Sequence, residues 1–117
     1  MTADEAIRDL LNVSTDIQSV AVVGADGDIV ASGPGAVAAD LAAAADRLWH
    51  AAALRAVALG DSPLDHVVVQ DVNGAVAMLT ARGRRITAVT GPRPAVGLLL
   101  FDLRTCLGDA FAEEEGQ

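Results

Sequence analysis

The sequence predicts a single α+β domain in which one five-stranded antiparallel sheet carries helices on both faces. Apolar residues with helical spacing occupy both ends of the chain and one long central stretch. Two short β-rich runs precede that stretch and three follow it, joined by glycine-containing turns. The central helix is the only crossover connection, which gives the order αββαβββα.

The helices are predicted from their end signals. Thr2 followed by Glu5 forms a capping-box pattern that opens a short helix. Gly60, with Pro63 shortly after it, is a plausible stop for the central helix. The predicted helices run from Thr2 to near Asn12, over residues 40–59 and over residues 96–111.

The strands are predicted from runs of β-forming residues that end at turn signals. The predicted strands are residues 19–23, 29–32, 67–71, 75–81 and 86–90. Asp26-Gly27, Asn73-Gly74 and Gly83 supply the positive φ values that tight hairpins require. Both groups of strands therefore pair antiparallel.

Length and charge limit the classes of function. A chain of 117 residues makes one domain, which we place at residues 1–112, with an acidic tail at 113–117. A net charge of −8 argues against nucleic acid or an anionic membrane as the main partner. One cysteine, no basic leader and no long apolar run predict a cytoplasmic protein without membrane insertion.

The central helix carries more apolar surface than its own domain can cover. Its apolar residues fall on two neighbouring stripes: Leu41, Leu48, Ala52 and Leu59 on one, Ala45, Trp49 and Ala56 on the other. We expect one stripe to pack on the sheet and the other on a second copy of the helix. Alternatively, the high helix propensity of alanine makes this an ordinary broad core helix.

No catalytic constellation is evident. His50, His66 and Cys106 could form a metal site only with scattered carboxylates, and a solvated histidine four residues after Asp46 explains His50 better. The sequence has no phosphate-binding glycine loop and no serine elbow. The sequence therefore predicts a protein that is not an enzyme and needs no cofactor.

Arg82, Arg84 and Arg85 form the only basic cluster of an otherwise acidic chain. The simplest interpretation is a solvated hairpin. The functional alternatives are a contact with an anion or acidic partner, or an arginine finger given to a nucleotide-bound partner.

Several strings, in this order, resemble the Roadblock (dynein light chain) family, in its bacterial GTPase-regulator type, over nearly the whole chain. They are Ile7 to Leu11, SVAVVGADGDIVAS, the long Ala/Leu helix, VVVQDVNGAVAMLTA and Val96-Gly97-Leu98. Pro92-Arg93-Pro94 departs from the pattern as a stiffer lead-in to the last helix. The resemblance implies a homodimer in which long helices pack together and third strands pair, and a small Ras-like GTPase as partner.

The expected dimer interface comprises Leu41, Leu48, Trp49, Val67 and Val69, although Trp49 could equally be a core residue. An apolar strand around residues 67–69 supports it independently, because an open apolar edge promotes aggregation and pairing with a second copy covers it.

The leading functional hypothesis is a non-enzymatic homodimeric regulator or scaffold of a small Ras-like GTPase, which could modulate its GTP hydrolysis or only hold it in place. The candidate partner contacts are Arg47, His50, Leu54, Arg84 and Arg85. The alternative is a small-molecule sensor or general signalling adaptor, although the chain offers few aromatic residues to line a ligand pocket.

Overall fold

The computed structural model describes residues 1–34, 38–60 and 64–112. Its elements are α1 (Ala3–Val13), β1 (Ile17–Val23), β2 (Ile29–Gly33), α2 (Ala38–Ala58), β3 (His66–Asp71), β4 (Gly74–Ala81), β5 (Arg84–Thr90) and α3 (Val96–Ala110). The five strands form one sheet in the order β2-β1-β5-β4-β3, and every neighbouring pair is antiparallel. The predicted fold class and element order are confirmed.

The element bounds differ from the predicted ones by at most two residues. β1 and β5 each begin two residues earlier than expected, as does α2. Pro63, proposed as part of the α2 stop, and the acidic tail at 113–117 lie outside the described residues. The domain limits of 1–112 therefore stay a prediction.

The helix ends follow their sequence signals. Thr2 Oγ1 accepts a hydrogen bond from the Glu5 backbone N–H at 3.1 Å, and the Glu5 carboxylate accepts one from the Thr2 backbone N–H at 3.2 Å. The hydrogen bond from the Thr2 backbone N–H, with a smaller contribution from the Thr2 side chain, lowers the pKa of the exposed Glu5 carboxyl. Gly60 ends α2 with a φ of +77°, where its N–H donates to the carbonyl of Val57.

The β3–β4 and β4–β5 hairpins have different turn geometries. The two residues of the β3–β4 turn are Val72 and Asn73, and Gly74 is the first residue of β4. A turn centred on Asn73-Gly74 would instead have Gly74 as its second turn residue. Asp71 holds this turn, because its Oδ1 accepts the N–H groups of Asn73 (2.7 Å) and Gly74 (3.2 Å). In the β4–β5 turn, Arg82 and Gly83 both have positive φ, the geometry of a type I′ hairpin.

The larger core lies between the sheet and the pair α1 and α3, which also pack on each other. Its buried residues are Ala6, Ile7, Leu10, Ile17, Val20, Val22, Ala31, Ala77, Leu79, Ile86, Ala88, Leu99, Leu103, Cys106, Leu107 and Phe111. The alternating residues of the central strands supply one wall and the helices supply the other.

Among the described residues, the one helix on the opposite face of the sheet is α2, which packs across β1, β2 and β5. Ala45 and Trp49 are buried there against Met78, with Leu48, Leu64 and Val67 half-buried around them. This second core is much smaller than the first, so one face of the sheet is only partly covered. No helix in the described ranges has the length and apolarity needed to span a membrane.

Replacement of Gly74 by alanine should destabilise the domain strongly. An added Cβ would meet the Thr90 carbonyl oxygen, and the φ of +154° also disfavours a side chain. We expect Gly74→Ala to lower the free energy of unfolding by about 2 kcal/mol or more in a denaturant titration. Gly97→Ala is the control, because an added Cβ there meets no atom within 4 Å; an equal loss in both variants would contradict the steric explanation.

Candidate interaction surface

The two apolar stripes of α2 have different surroundings. The stripe of Ala45, Trp49 and Ala56 faces the sheet, with Ala45 and Trp49 buried. The neighbouring stripe is left on one flank of the helix: Leu41 and Leu48 are half-buried and Leu59 is exposed. A helix of 21 residues that buries two side chains has unused apolar surface.

That flank continues onto the sheet at its β3 edge. Leu48 packs beside Leu64 and Val67. Val67 and Val69 point to the α2 face of the sheet, since Val68 between them packs into the other core. Val69 is 50% exposed on a strand with no neighbour on its outer side in the described sheet. An apolar edge strand of this kind favours pairing with another chain.

A row of three valines, of which Val76 and Val89 are half-buried, extends the apolar area inward from the edge. Val69, Val76 and Val89 are direct cross-strand neighbours on β3, β4 and β5. They line an open depression of about 320 Å³ together with polar residues at the strand ends, among them Gln18 and Asp71. We define the α2/β3 surface by Leu41, Leu48, Val67, Val69, Val76 and Val89.

Val76 and Val89 were missed by the sequence analysis. The signal was present in β4, where GAVAMLTA is apolar at both alternating sets of positions. A strand of that type has two covered faces. Without the strand order, however, the residue beside Val76 could not be identified.

Trp49 lies in the small core beneath α2, which is the alternative that the sequence left open. Its side chain is 9% exposed and packs in the cluster with Met78. The Arg85 guanidinium carbon lies 5.1 Å from the centre of the Trp49 ring, within the range of a cation–π contact. Trp49 therefore positions α2 on the sheet.

Arg84 and Arg85 both make contacts inside the chain. Arg85 Nη1 lies 3.3 Å from Asp46 Oδ1, and the side chain is only 18% exposed. The Arg84 guanidinium carbon lies 4.1 Å from the centre of the Phe111 ring. The hairpin arginines are thus packed against both helical layers, and their contact with a partner stays a prediction.

Arg47, His50 and Leu54 lie on the side of α2 that faces away from the sheet, and all three are exposed. His50 Nε2 lies 3.4 Å from Asp46 Oδ1, the i, i+4 arrangement expected for a solvated histidine. Leu54 is 73% exposed, with Val57 also exposed one turn later. The predicted partner contacts and the α2/β3 surface are therefore separate.

The described residues include no group of three or more His, Cys, Asp or Glu side chains placed to hold a metal ion. Cys106 is a free thiol, buried on α3 in the larger core and close to α1. Burial raises its pKa to about 12, with smaller contributions from the carboxylates of Asp109 and Asp9. A thiol held neutral in this way is a poor nucleophile.

Comparison with solved structures shows a Roadblock/LC7 fold over the whole chain. A Roadblock/LC7 domain from Streptomyces avermitilis superposes with a TM-score of 0.84 at 16% identity and covers 100% of both chains. MglB from Myxococcus xanthus gives 0.78 at 13% identity, covering 98% of this chain and 96% of its own. The gliding protein MglB from Thermus thermophilus gives 0.78 at 16% identity, covering 97% and 89%. No protein-family model and no curated protein match the sequence.

The Cys106 thiol should make stability fall at alkaline pH. Its pKa is about 12 in the folded chain, against about 9 for an unperturbed thiol, so the unfolded state loses its proton first as pH rises. We expect the free energy of unfolding to decline between about pH 9 and about pH 12. The chain has no lysine or tyrosine to titrate in that window. Cys106→Ala should flatten the decline in denaturant titrations; an unchanged slope would exclude the thiol as its cause.

Proposed function

We propose that this protein is a homodimeric regulator or scaffold of a small Ras-like GTPase, acts without catalytic chemistry of its own, and works in the cytoplasm. The observation that carries the proposal is the α2/β3 surface, an apolar area on a charged chain that its own domain leaves only partly covered. The Roadblock-like sequence strings and the Roadblock/LC7 fold support the choice of partner.

The dimer step follows from the geometry of the edge. A two-fold axis beside β3 would pair β3 with its symmetry mate and bring the Leu41 and Leu48 flanks of the two α2 helices together. The sheet would continue from one protomer into the other, and the valine row would lose its exposure to water. Each copy would thus cover the β3 edge and the α2 flank of the other.

The GTPase step rests on the flank of α2 that such a dimer leaves accessible. Arg47, His50 and Leu54 are exposed there, with Val57 beside them. A leucine surrounded by one cation and a histidine suits a small, partly polar interface. Two such flanks would form a platform, on which the GTPase is held or its own catalytic site is shaped.

The dimer should depend on the β3 edge. Val69→Lys places a charge on the exposed edge, and Leu48→Asp places one on the α2 flank, so both should give monomers in size-exclusion chromatography with light scattering. Val30→Lys is the matched control, because Val30 is similarly exposed on the opposite edge strand, β2. Folded dimers of both Val69→Lys and Leu48→Asp would contradict the proposed interface.

A tagged pull-down from host lysate, run with a non-hydrolysable GTP analogue and with GDP, tests the partner. We expect one small GTPase to be retained in a nucleotide-dependent way, and the double variant Arg47→Ala, Leu54→Ala to lose it while remaining a dimer. Equal retention in both nucleotide states would favour a scaffold over a regulator. Recovery of no GTPase would reject this partner class and favour the small-molecule sensor.

Arg84 and Arg85 require a different test, because their substitution also removes contacts with Phe111 and Trp49. Arg84→Lys and Arg85→Lys keep the charge, whereas glutamine variants remove it. At each position the lysine and glutamine variants should have equal thermal stability. If only the glutamine variants then lose GTPase binding, the result would support a direct electrostatic contact.

A further inference from the structure

The outer surface of the α1 and α3 layer carries a continuous groove that the proposed dimer and GTPase contacts do not use. One cavity of about 310 Å³ lies between the two helices. A second, of about 100 Å³, continues it toward the start of α3. Val13 and Asp102 line both cavities, so we treat them as one α1/α3 groove.

The groove presents large apolar side chains to water. Val13, Leu98 and Phe101 are 69%, 62% and 63% exposed. Leu98 and Phe101 lie three residues apart on α3, and Ala6 and Leu10 form the floor on α1. Single exposed apolar residues are common, but three along one groove form a patch that can accept another protein's side chains.

The rim of the groove is acidic. Asp9 on α1 and Asp102 and Asp109 on α3 line the larger cavity, and Asp16 lines the smaller one. No arginine or histidine is among the described residues that line either cavity. The effect reaches the groove floor, where Asp109 and Asp9 help to raise the pKa of Cys106.

The arginines of the two helices point elsewhere. Arg8 lies on the side of α1 opposite Ala6. Arg104 lies on the other flank of α3, where it lines a separate depression with Arg82 and Arg84. Negative and positive side chains thus lie on different flanks of α3, and the described charged residues that line the groove are all carboxylates.

We propose that the α1/α3 groove binds a basic amphipathic helix of a partner protein. Apolar side chains spaced i, i+3 and i+4 on that helix would enter the cavity beside Val13 and Phe101. Arginines or lysines flanking them would reach Asp9, Asp102 and Asp109. The acidic rim repels nucleic acid and anionic lipid, which leaves a cationic protein segment as the occupant that matches both the apolar floor and the charge.

This inference is independent of the proposed function, because the groove lies on the face of the sheet opposite α2. A dimer formed at β3 would carry two such grooves, both facing away from the α2 platform. The protein could therefore hold a GTPase on one face and a second, basic partner on the other.

The probe is a designed helical peptide of about 16 residues with leucines on one face and arginines flanking them. A matched peptide has glutamates in place of the arginines. With the full chain labelled with ¹⁵N, we expect the arginine peptide to shift the amide signals of Asp9, Val13, Phe101, Asp102 and Thr105. The glutamate peptide should bind at least about tenfold more weakly.

The variants separate apolar from charge contributions. Phe101→Ala should weaken binding by about tenfold or more. Asp102→Asn with Asp109→Asn should weaken it and also reduce its salt dependence. The control variants are Leu54→Ala and Asp65→Asn. Leu54 is an exposed apolar residue on α2, like Phe101 on α3, and Asp65 is an exposed aspartate outside the groove. Both variants should bind the arginine peptide with unchanged affinity.

Four results would overturn the proposal: no binding, equal binding of the two peptides, shifts that map to α2 or β3, or unchanged affinity in both groove variants. Concentration-dependent shifts at the groove without any peptide would also overturn it, because they would identify a second copy of this chain as the occupant. Dimer formation and GTPase capture are measured separately, so failure here leaves the proposed function intact.

Discussion

The packing of Trp49 with Met78 holds α2 on the sheet, and the surface that remains open on that face depends on it. Trp49 is the one large side chain that α2 buries, and Arg85, which is paired with Asp46, packs over its ring. The alanines around it keep the helix close to the strands but add little width. A single narrow helix therefore covers part of one face, and the α2/β3 surface is the remainder.

The sequence predicted the elements because each carries a local signal. The Thr2–Glu5 capping box, Asp26-Gly27 and the two stripes of α2 act over a few residues, and the structure reproduces them. Long-range placement could not be predicted in the same way. From the sequence, the simplest prediction for Arg85 is a solvated hairpin residue. In the structure, Arg85 contacts Asp46, which lies 39 positions away in the chain. The valine row likewise exists only once β5, β4 and β3 are aligned.

Acidic and basic side chains line different surfaces of the molecule, which the net charge of −8 does not show. Four carboxylates, those of Asp9, Asp16, Asp102 and Asp109, line the α1/α3 groove, whereas Arg82, Arg84 and Arg104 line a depression on the other flank of α3. A dimer built at β3 repeats this division by symmetry. Such an arrangement suits a protein that brings different partners together, since each face discriminates by charge before close contact forms.

Trp49 also gives the protein a built-in optical reporter. It is the only tryptophan, and the chain has no tyrosine, so its emission comes from one position under α2. Because the indole is buried beside a guanidinium group, its fluorescence depends on whether the helix rests on the sheet. The packing of α2 on the sheet can thus be followed by fluorescence without an added label.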